Sequence, residues 1–408
     1  MIGQTSFTVV AGGTVTTPKG FRAGGVYCGI KKVQRNDLGA IVCDVPADAA
    51  GVFTTNVVMA APLAVTKESL AKEGKLQAML VNSGNANACT GEQGDRDARD
   101  MRASFAAALG VPEHYVGVTS TGVIGVPMPM EKVRSGVEDL SGKLSAAGGD
   151  EFCHAIMTTD LVKKSVCVEL DVNGKPVYIA GAAKGSGMIH PNMATMLGFV
   201  TTDAAFQPGC LQSLLSGATD VTFNMITVDG DTSTNDMVVA MASGLAGNEP
   251  LSPSHPDWAN YAAAFRFVAE TLAKEIARDG EGATKLIEVN VVGAGSDYDA
   301  RAIAKTIVGS NLVKSAVYGS DANWGRIIAA AGRAGVPINP NTVDIRLGDI
   351  AVLQQSAPLP FDEAAAKAYL DGKEVTIHVD LHGGSGKATA WGCDLTYDYV
   401  KINASYRT

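Results

Sequence analysis

The alternation of apolar and polar positions reads first as short strands broken by turns. Residues 7–10 and 39–44 are brief stretches rich in branched and apolar side chains, and residues 78–82 form an apolar run of the kind a buried strand shows. Residues 95–109 have the pattern of a helix and meet Gly110, which suits the left-handed turn that ends one. Residues 113–118 are strand-like and run into the turn-rich stretch 119–125, after which 129–144 is helical again. Residues 165–171 and 176–180 flank Asn173-Gly174, a tight-hairpin dipeptide. Residues 196–200 are apolar on both faces, which predicts a central strand. The clearest amphipathic helix is 257–277, with Phe265, Val268, Leu272 and Ile276 near one face. Residues 286–292 return to strand, and 324–334 predict a helix that stops at Gly335. Strands, then helices, then strands, with few clean βαβ units, predict an α+β layered fold.

Composition narrows the class. At 408 residues the chain is long enough for two or more lobes, and 46% apolar against 18% charged residues suits a protein with a large core. A net charge of −9 and no basic patch with interleaved aromatics argue against nucleic acid or an anionic membrane as partner. No apolar run is long enough to span a bilayer, and Met1-Ile2-Gly3-Gln4-Thr5 does not open a signal peptide. The seven cysteines (28, 43, 89, 153, 167, 210 and 393) are odd in number and lack Cys-x-x-Cys spacing. Reduced, mostly buried thiols in a cytoplasmic protein are expected. The six histidines are scattered without metal-ligand spacing, so neither a metal nor a cofactor is expected.

The chemistry concentrates in Lys184-Gly185-Ser186-Gly187-Met188-Ile189-His190-Pro191-Asn192-Met193-Ala194-Thr195-Met196-Leu197-Gly198-Phe199. This is a Gly-rich loop, a proline that restricts His190 to extended geometry, a small residue, and a threonine opening an apolar run. Ala194 leaves its carbonyl unhindered for attack by the Thr195 hydroxyl. Such an N→O acyl shift, completed by water, would make Thr195 an N-terminus. Its α-amine, with an ordinary pKa of about 7.7–8.0, would then be a built-in base beside the hydroxyl. The competing reading is that Thr195 only begins a buried strand.

The whole segment resembles the self-cleaving site of the ornithine acetyltransferase family, the glutamate N-acetyltransferases of arginine biosynthesis. The resemblance extends over nearly the whole chain, through residues 81–91, 224–236 and 318–326. It implies an αββα sandwich like that of N-terminal-nucleophile enzymes with a further α+β lobe. It implies cleavage of Ala194-Thr195 into chains 1–194 and 195–408, assembled two of each. Thr195 is then the acetyl-carrying nucleophile between N-acetylornithine and glutamate, with acetyl-CoA left open as a further donor. Within Ser120-Thr121-Gly122-Val123-Ile124-Gly125, the Thr121 hydroxyl and Gly122 N–H match the oxyanion hole. Thr158, Lys184, Glu281, Asn403 and Thr408 match substrate-binding positions, Glu281 as partner for a cationic amine. Ser405 departs from the acidic residue expected between Ala404 and Tyr406.

Two alternatives stay open on the residues alone. One is an N-terminal-nucleophile peptidase or amidase, with water as acceptor. The other is a nucleotide-binding module built on Gly293-Ala294-Gly295-Ser296 or Gly383-Gly384-Ser385-Gly386-Lys387-Ala388. The first stretch lacks the third glycine of a dinucleotide fingerprint. In the second, Leu381 stands where a P-loop begins with Gly, and Ala388 replaces the magnesium-binding Ser or Thr.

Overall fold

A strand interrupted by proline shapes the first part of the molecule. In the computed structural model, which describes residues 6–190 and 196–405, the described residues fall into two compact units. The first comprises 6–185, 196–223 and 232–272, the second 186–190, 224–231 and 273–405. The elements run β1 (Phe7–Val9), β2 (Phe21–Val26), β3 (Leu38–Phe53), α1 (Ala61–Glu73), β4 (Lys75–Asn85), α2 (Gly91–Leu109), β5 (Val116–Val123), α3 (Met130–Ser141) and α4 (Gly149–Ile156). They continue with β6 (Lys164–Val172), β7 (Lys175–Lys184), β8 (Leu197–Thr202), α5 (Cys210–Val221), β9 (Ile226–Thr227), β10 (Met237–Ala242) and α6 (Trp258–Arg278).

The strands of the first unit form one hydrogen-bonded path, β1-β6-β7-β8-β10-β3-β4-β5, with β2 also on β3. Residues 38–43 of β3 pair with β2 and residues 48–53 with β10. The register against β4 slips between Val42 and Ala47, where Pro46 has no N–H to give a ladder. The two halves of the path therefore stack as layers. Ile41, Cys43, Met79 and Val81 share a core with Ala182, Leu197, Phe199, Met237 and Val239. The alternate residues Ala40, Val42, Ala78 and Leu80 face outward into a core with Met101, Phe105, Val133 and Val137 of α2 and α3. On the opposite outer face, Leu272 and Val268 of α6 lie 2.7 and 3.0 Å from where a Gly181 side chain would begin. Gln212 of α5 exchanges hydrogen bonds with the backbone of Gly51 on β3. This is the αββα sandwich implied by the resemblance.

Most predicted elements are present, with shifted ends. Gly110 caps α2 at φ +68°, and Asn173-Gly174 turn the β6–β7 hairpin with φ of +51° and +74°. The helix expected to reach 144 stops at Ser141, because Ser145 leaves it to exchange backbone hydrogen bonds with Ala23. The stretch 119–125, expected as a turn, continues β5 to Val123 in parallel register with β4. Helix α1 has no clear apolar stripe because its buried face carries hydroxyls. Thr66 Oγ1 donates to the Val118 carbonyl at 2.6 Å and accepts the Val118 N–H at 2.7 Å, and Ser69 Oγ donates to Val116 O at 2.8 Å. The free edge of β5 is thereby satisfied by side chains.

The second unit continues with β11 (Leu286–Ala294), α7 (Asp297–Val308), α8 (Asn311–Tyr318), α9 (Trp324–Gly332), β12 (Asp344–Leu347), β13 (Ile350–Gln354), β14 (Ala357–Pro358), α10 (Glu363–Leu370), β15 (Glu374–Asp380), β16 (Gly386–Cys393) and α11 (Tyr397–Ala404). Its sheet runs β14-β13-β12-β15-β11-β16-β9, with α7 packed on β11 and β16. Helix α9 ends at Gly332, two residues short of expectation, as its last turn tightens through Arg333 and Ala334 N–H groups onto Ala330 and Ala331. The two Gly-rich stretches pack on each other. Side chains at Gly384 and Gly386 would lie 2.5 Å from Ala294 O and 2.3 Å from the Ser296 carbonyl. The α7 N-terminus is capped by Ser296 and carries Asp297 and Asp299, carboxylates where a phosphate would need positive charge. These glycines serve packing, which removes the basis for the nucleotide-binding alternative.

Thr66→Val should lower the unfolding free energy by about 1–3 kcal/mol, because it strands a buried N–H and C=O on the β5 edge. Thr66→Ser should lose far less. Urea unfolding of the two variants checks this.

Candidate active site

Lys184 ends β7, paired with Leu197 on β8, which in turn pairs with Met237 on β10. Directly paired residues point to one face of a sheet. Leu197 and Met237 lie in the core between the layers, so Lys184 points into that interlayer space, where it is buried. Its Nζ lies 3.3 Å from Thr121 Oγ1 near the end of β5. The ammonium can only donate, so the Thr121 oxygen accepts and its hydrogen stays available for another acceptor. Gly122 has φ +134°, and a side chain there would come within 2.3 Å of the Gly84 carbonyl carbon and 2.5 Å of the Asn85 nitrogen. Only glycine fits both the conformation and the approach. Asn235 reinforces this end of the strand pair, donating to Ala86 O at 2.6 Å and Ser120 O at 2.8 Å.

Asp160 is the charge centre of this region. Its side chain and that of Lys164 both have 0% exposure, 2.7 Å apart. Asp160 Oδ1 also accepts the Gly185 N–H at 2.7 Å, and Oδ2 accepts the Thr158 N–H at 3.0 Å. Burial works to raise its pKa, but Lys184 and then Lys164 outweigh it and hold the carboxyl at about 2. Asp236 behaves oppositely. Its burial pushes the carboxyl well above the usual range, against smaller opposing effects of Ser233 and Lys184. Its Oδ2 has no hydrogen-bond partner among the described residues. A buried carboxyl whose ionised form is disfavoured therefore sits just before β10.

In the second unit, Glu281 follows α6 and is buried. Its Oε2 accepts from Asn403 Nδ2 of α11 at 2.8 Å, and its backbone N–H donates to Ser186 O at 3.0 Å. A side chain at Gly187 would come within 2.3–2.5 Å of the Glu281 carboxylate. The two candidate residues Glu281 and Asn403 are thus brought together. The tail, which would ordinarily be read as frayed, is helical to Ala404. Asp229 caps the loop that precedes the Ala-Thr step. It accepts the N–H groups of Met188 at 2.6 Å and Ile189 at 2.9 Å, holding Met188 at φ +56°. His190 Nδ1 lies 2.9 Å from Thr227 Oγ1. Burial, then the charge of Lys305, pushes the His190 imidazole down to about 4, so it is neutral near pH 7.

Ala194, Thr195 and Thr408 lie outside the described residues. Among the described residues, the structure brings Thr121, Gly122 and Lys184 together and ties Thr158 to Lys184 through Asp160. No motif pointed to Lys164, Asn235 or Asp236 as supports of these groups. Asp160 and Lys164 are an i, i+4 pair of opposite charge, but off any helix that spacing carries no signal. All seven cysteines are unpaired and four are buried, with burial pushing the Cys153 thiol up to about 12. Among the described residues no cluster of His, Cys, Asp or Glu could hold a metal, and no helix is long and apolar enough to cross a membrane.

A sandwich whose interlayer space receives a lysine and a Thr-Gly pair, beside strands joined through an Ala-Thr step, is the framework of an N-terminal-nucleophile-like acyltransferase. Comparison with known proteins goes further. Residues 22–408 match the ArgJ family. The arginine biosynthesis bifunctional protein ArgJ of Shouchella clausii is 61% identical over 397 residues, covering 97% of this chain and 96% of that protein. The protein of the same description from Bacillus anthracis is 57% identical over 408 residues, covering 100% of each. A crystal structure of the ArgJ protein from Bacillus halodurans superposes with a TM-score of 0.50 at 62% identity, covering 51% of this chain and 98% of the solved one. The chain belongs to the ArgJ family and is an acetyltransferase of arginine biosynthesis acting on small molecules.

Asp160→Asn should destabilise the protein by about 3–5 kcal/mol, the usual consequence of removing one partner of a buried ion pair. Because the folded state holds this carboxyl at about 2, below its ordinary 3.8, its contribution is complete above pH ~4 and is lost as the pH falls toward 2. Unfolding measured between pH 5 and 2 should show a flatter acid limb in the variant than in the wild type.

Proposed function

We propose that the chain cleaves itself between Ala194 and Thr195, and that Thr195 then carries acetyl from N-acetylornithine to glutamate. The carrying observation is the Thr121-Gly122 pair near the end of β5, with Lys184 Nζ 3.3 Å from Thr121 Oγ1. That contact leaves the Thr121 O–H and Gly122 N–H as fixed donors for an oxyanion. In cleavage, the Thr195 hydroxyl adds to the Ala194 carbonyl, the C–N bond breaks, and water hydrolyses the resulting ester. In transfer, the Thr195 α-amine takes the hydroxyl proton while Oγ attacks the acetyl carbonyl. The amide bond breaks, its nitrogen is protonated, and ornithine leaves an acetyl ester on Thr195. The amine of glutamate attacks that ester and departs acetylated.

Lys184 and Thr158 are assigned to the substrate carboxylate region. Glu281, oriented by Asn403, is assigned to a cationic amine, and Thr408 to a further substrate contact. The relatives' names call them bifunctional, which supports a second reaction; acetyl-CoA as a direct donor is the one proposed, as a substrate rather than a cofactor. No metal takes part. The solved Bacillus halodurans chain covers 51% of this one, which supports products near 1–194 and 195–408. The products stay joined, since β8 pairs with β7 and β10 with β3 across the cut. Two copies of each chain in the cytoplasm complete the reading.

Thr195→Ala should yield one chain near 42.1 kDa with no transfer of acetyl, where the wild type gives two chains; intact mass spectrometry decides it. Thr121→Val should lower kcat by about 10²–10³ with little change in KM, the pattern of a contact made only in the transition state. Steady-state kinetics of the cleaved enzyme check this, and an unchanged kcat removes Thr121 from the mechanism.

A further inference from the structure

Lys31 lies in the connection between β2 and β3, a loop gathered around Asp37. The fully buried Asp37 carboxylate accepts the N–H groups of Cys28 at 2.7 Å, Gly29 at 3.1 Å and Lys31 at 2.9 Å. The start of the Lys31 side chain is thereby fixed. Its Cγ lies 3.0 Å from where a side chain on Gly84 would begin, and Gly84 is the residue against which Gly122 packs. The Lys31 ammonium then donates to two carbonyls, Asn36 O and Met157 O, each at 2.8 Å.

The Met157 carbonyl belongs to the same peptide group as the Thr158 N–H, which donates to Asp160 Oδ2 at 3.0 Å. One peptide plane is therefore clamped at both ends by charged partners, a cation on its oxygen and an anion on its nitrogen. Charge-assisted hydrogen bonds are roughly twice as strong as neutral ones and fix orientation as well as distance. Asp160 alone would leave the plane free to tilt about a single contact. Burial pushes the Lys31 ammonium down to about 8, with Asp37 and Asp160 acting to raise it and Arg35 and Lys184 to lower it further. It remains largely charged near neutrality and shares the electrostatic environment of Lys184 and Asp160.

We propose that Lys31 is a positioning residue for substrate binding: by clamping the Met157–Thr158 peptide opposite Asp160, it sets the place of Thr158 at the acyl-transfer site. The proposal rests on the reading of Thr158 as a substrate-binding residue. It gives the β2–β3 loop a task in affinity that no motif in the loop announces.

The test compares the cleaved enzyme carrying Lys31→Met, Lys31→Arg, Thr158→Val, and the Lys31→Met/Thr158→Val pair. KM and kcat are measured for N-acetylornithine and glutamate. Lys31→Met keeps the stem on Gly84 and removes the ammonium. It should raise KM about ten-fold or more, the range covered by loss of one charge-assisted hydrogen bond, with kcat changed little. Lys31→Arg should recover most of that loss. The double variant should be no worse than Thr158→Val, because both act through one group. An unchanged KM in Lys31→Met, a fall confined to kcat, or additive effects in the pair would overturn the inference while leaving Thr158 in place. An unchanged KM in Thr158→Val overturns the reading of Thr158 and this inference with it. Where Lys31→Met yields no folded protein, Lys31→Gln, a donor of shorter reach, replaces it with the same deciding outcomes.

Discussion

A carboxylate with no exposed surface must find its charge balance inside the protein, and Asp160 does so within four residues of chain and one strand end. Lys164 supplies the direct partner and Lys184 a second positive charge, while the Gly185 and Thr158 N–H groups add a hydrogen bond to each oxygen. A buried ion is expensive unless every site on it is satisfied. The segments bearing these partners are therefore fixed relative to one another far more tightly than apolar packing alone would fix them. The start of β6, the end of β7 and the Thr158 turn all take their positions from this one group. Lys184 can then reach Thr121 from a defined origin.

The second constraint is steric. Gly122 must approach the backbone of Gly84 and Asn85 more closely than any side chain allows. Strand β5 must be held at its free edge for that approach to persist. Thr66 and Ser69 of α1 hold it by giving Val118 and Val116 the partners that a further strand would otherwise supply. An oxyanion hole depends on donors that need no rearrangement when charge develops. For the proposed donors Thr121 and Gly122 that rigidity comes from a helix separated from β5 by β4 and α2.

Much of this arrangement was legible in the sequence and some was not, for identifiable reasons. Helix α2 with its Gly110 cap, the Asn173-Gly174 hairpin and the apolar strand after Thr195 follow from local rules, because the deciding interactions lie within a few residues. The Thr-Gly pair, Lys184, Glu281 and Asn403 were legible only through resemblance. A lysine at a strand end or an asparagine near a terminus has no local signature of function. Helix α1 was invisible because its buried face is partly hydroxylic, as in Thr66 and Ser69. Residues 119–123 read as a turn from their Ser, Thr and Gly content, yet tertiary pairing with β4 makes them strand. No motif singled out Asp160, and Asn235 only fell within the stretch 224–236. Their roles depend on partners 25 and 115 residues distant.

The pairing of β7 with β8 has a consequence for how the enzyme comes into being. While the loop is intact, the two strands are neighbours in one polypeptide and find their register by a short loop closure, whose entropic cost is small. With the Ala194-Thr195 bond cut as proposed, the same pairing, if ever lost, would have to be regained by collision between two chains. Each of those chains alone exposes strand edges that had been covered. Assembly is thus a one-way history. On the proposed cleavage, the uncut chain is the form that folds, and the cut form is preserved by never coming apart. An enzyme matured by that cut would be replaced after unfolding by fresh synthesis rather than by repair.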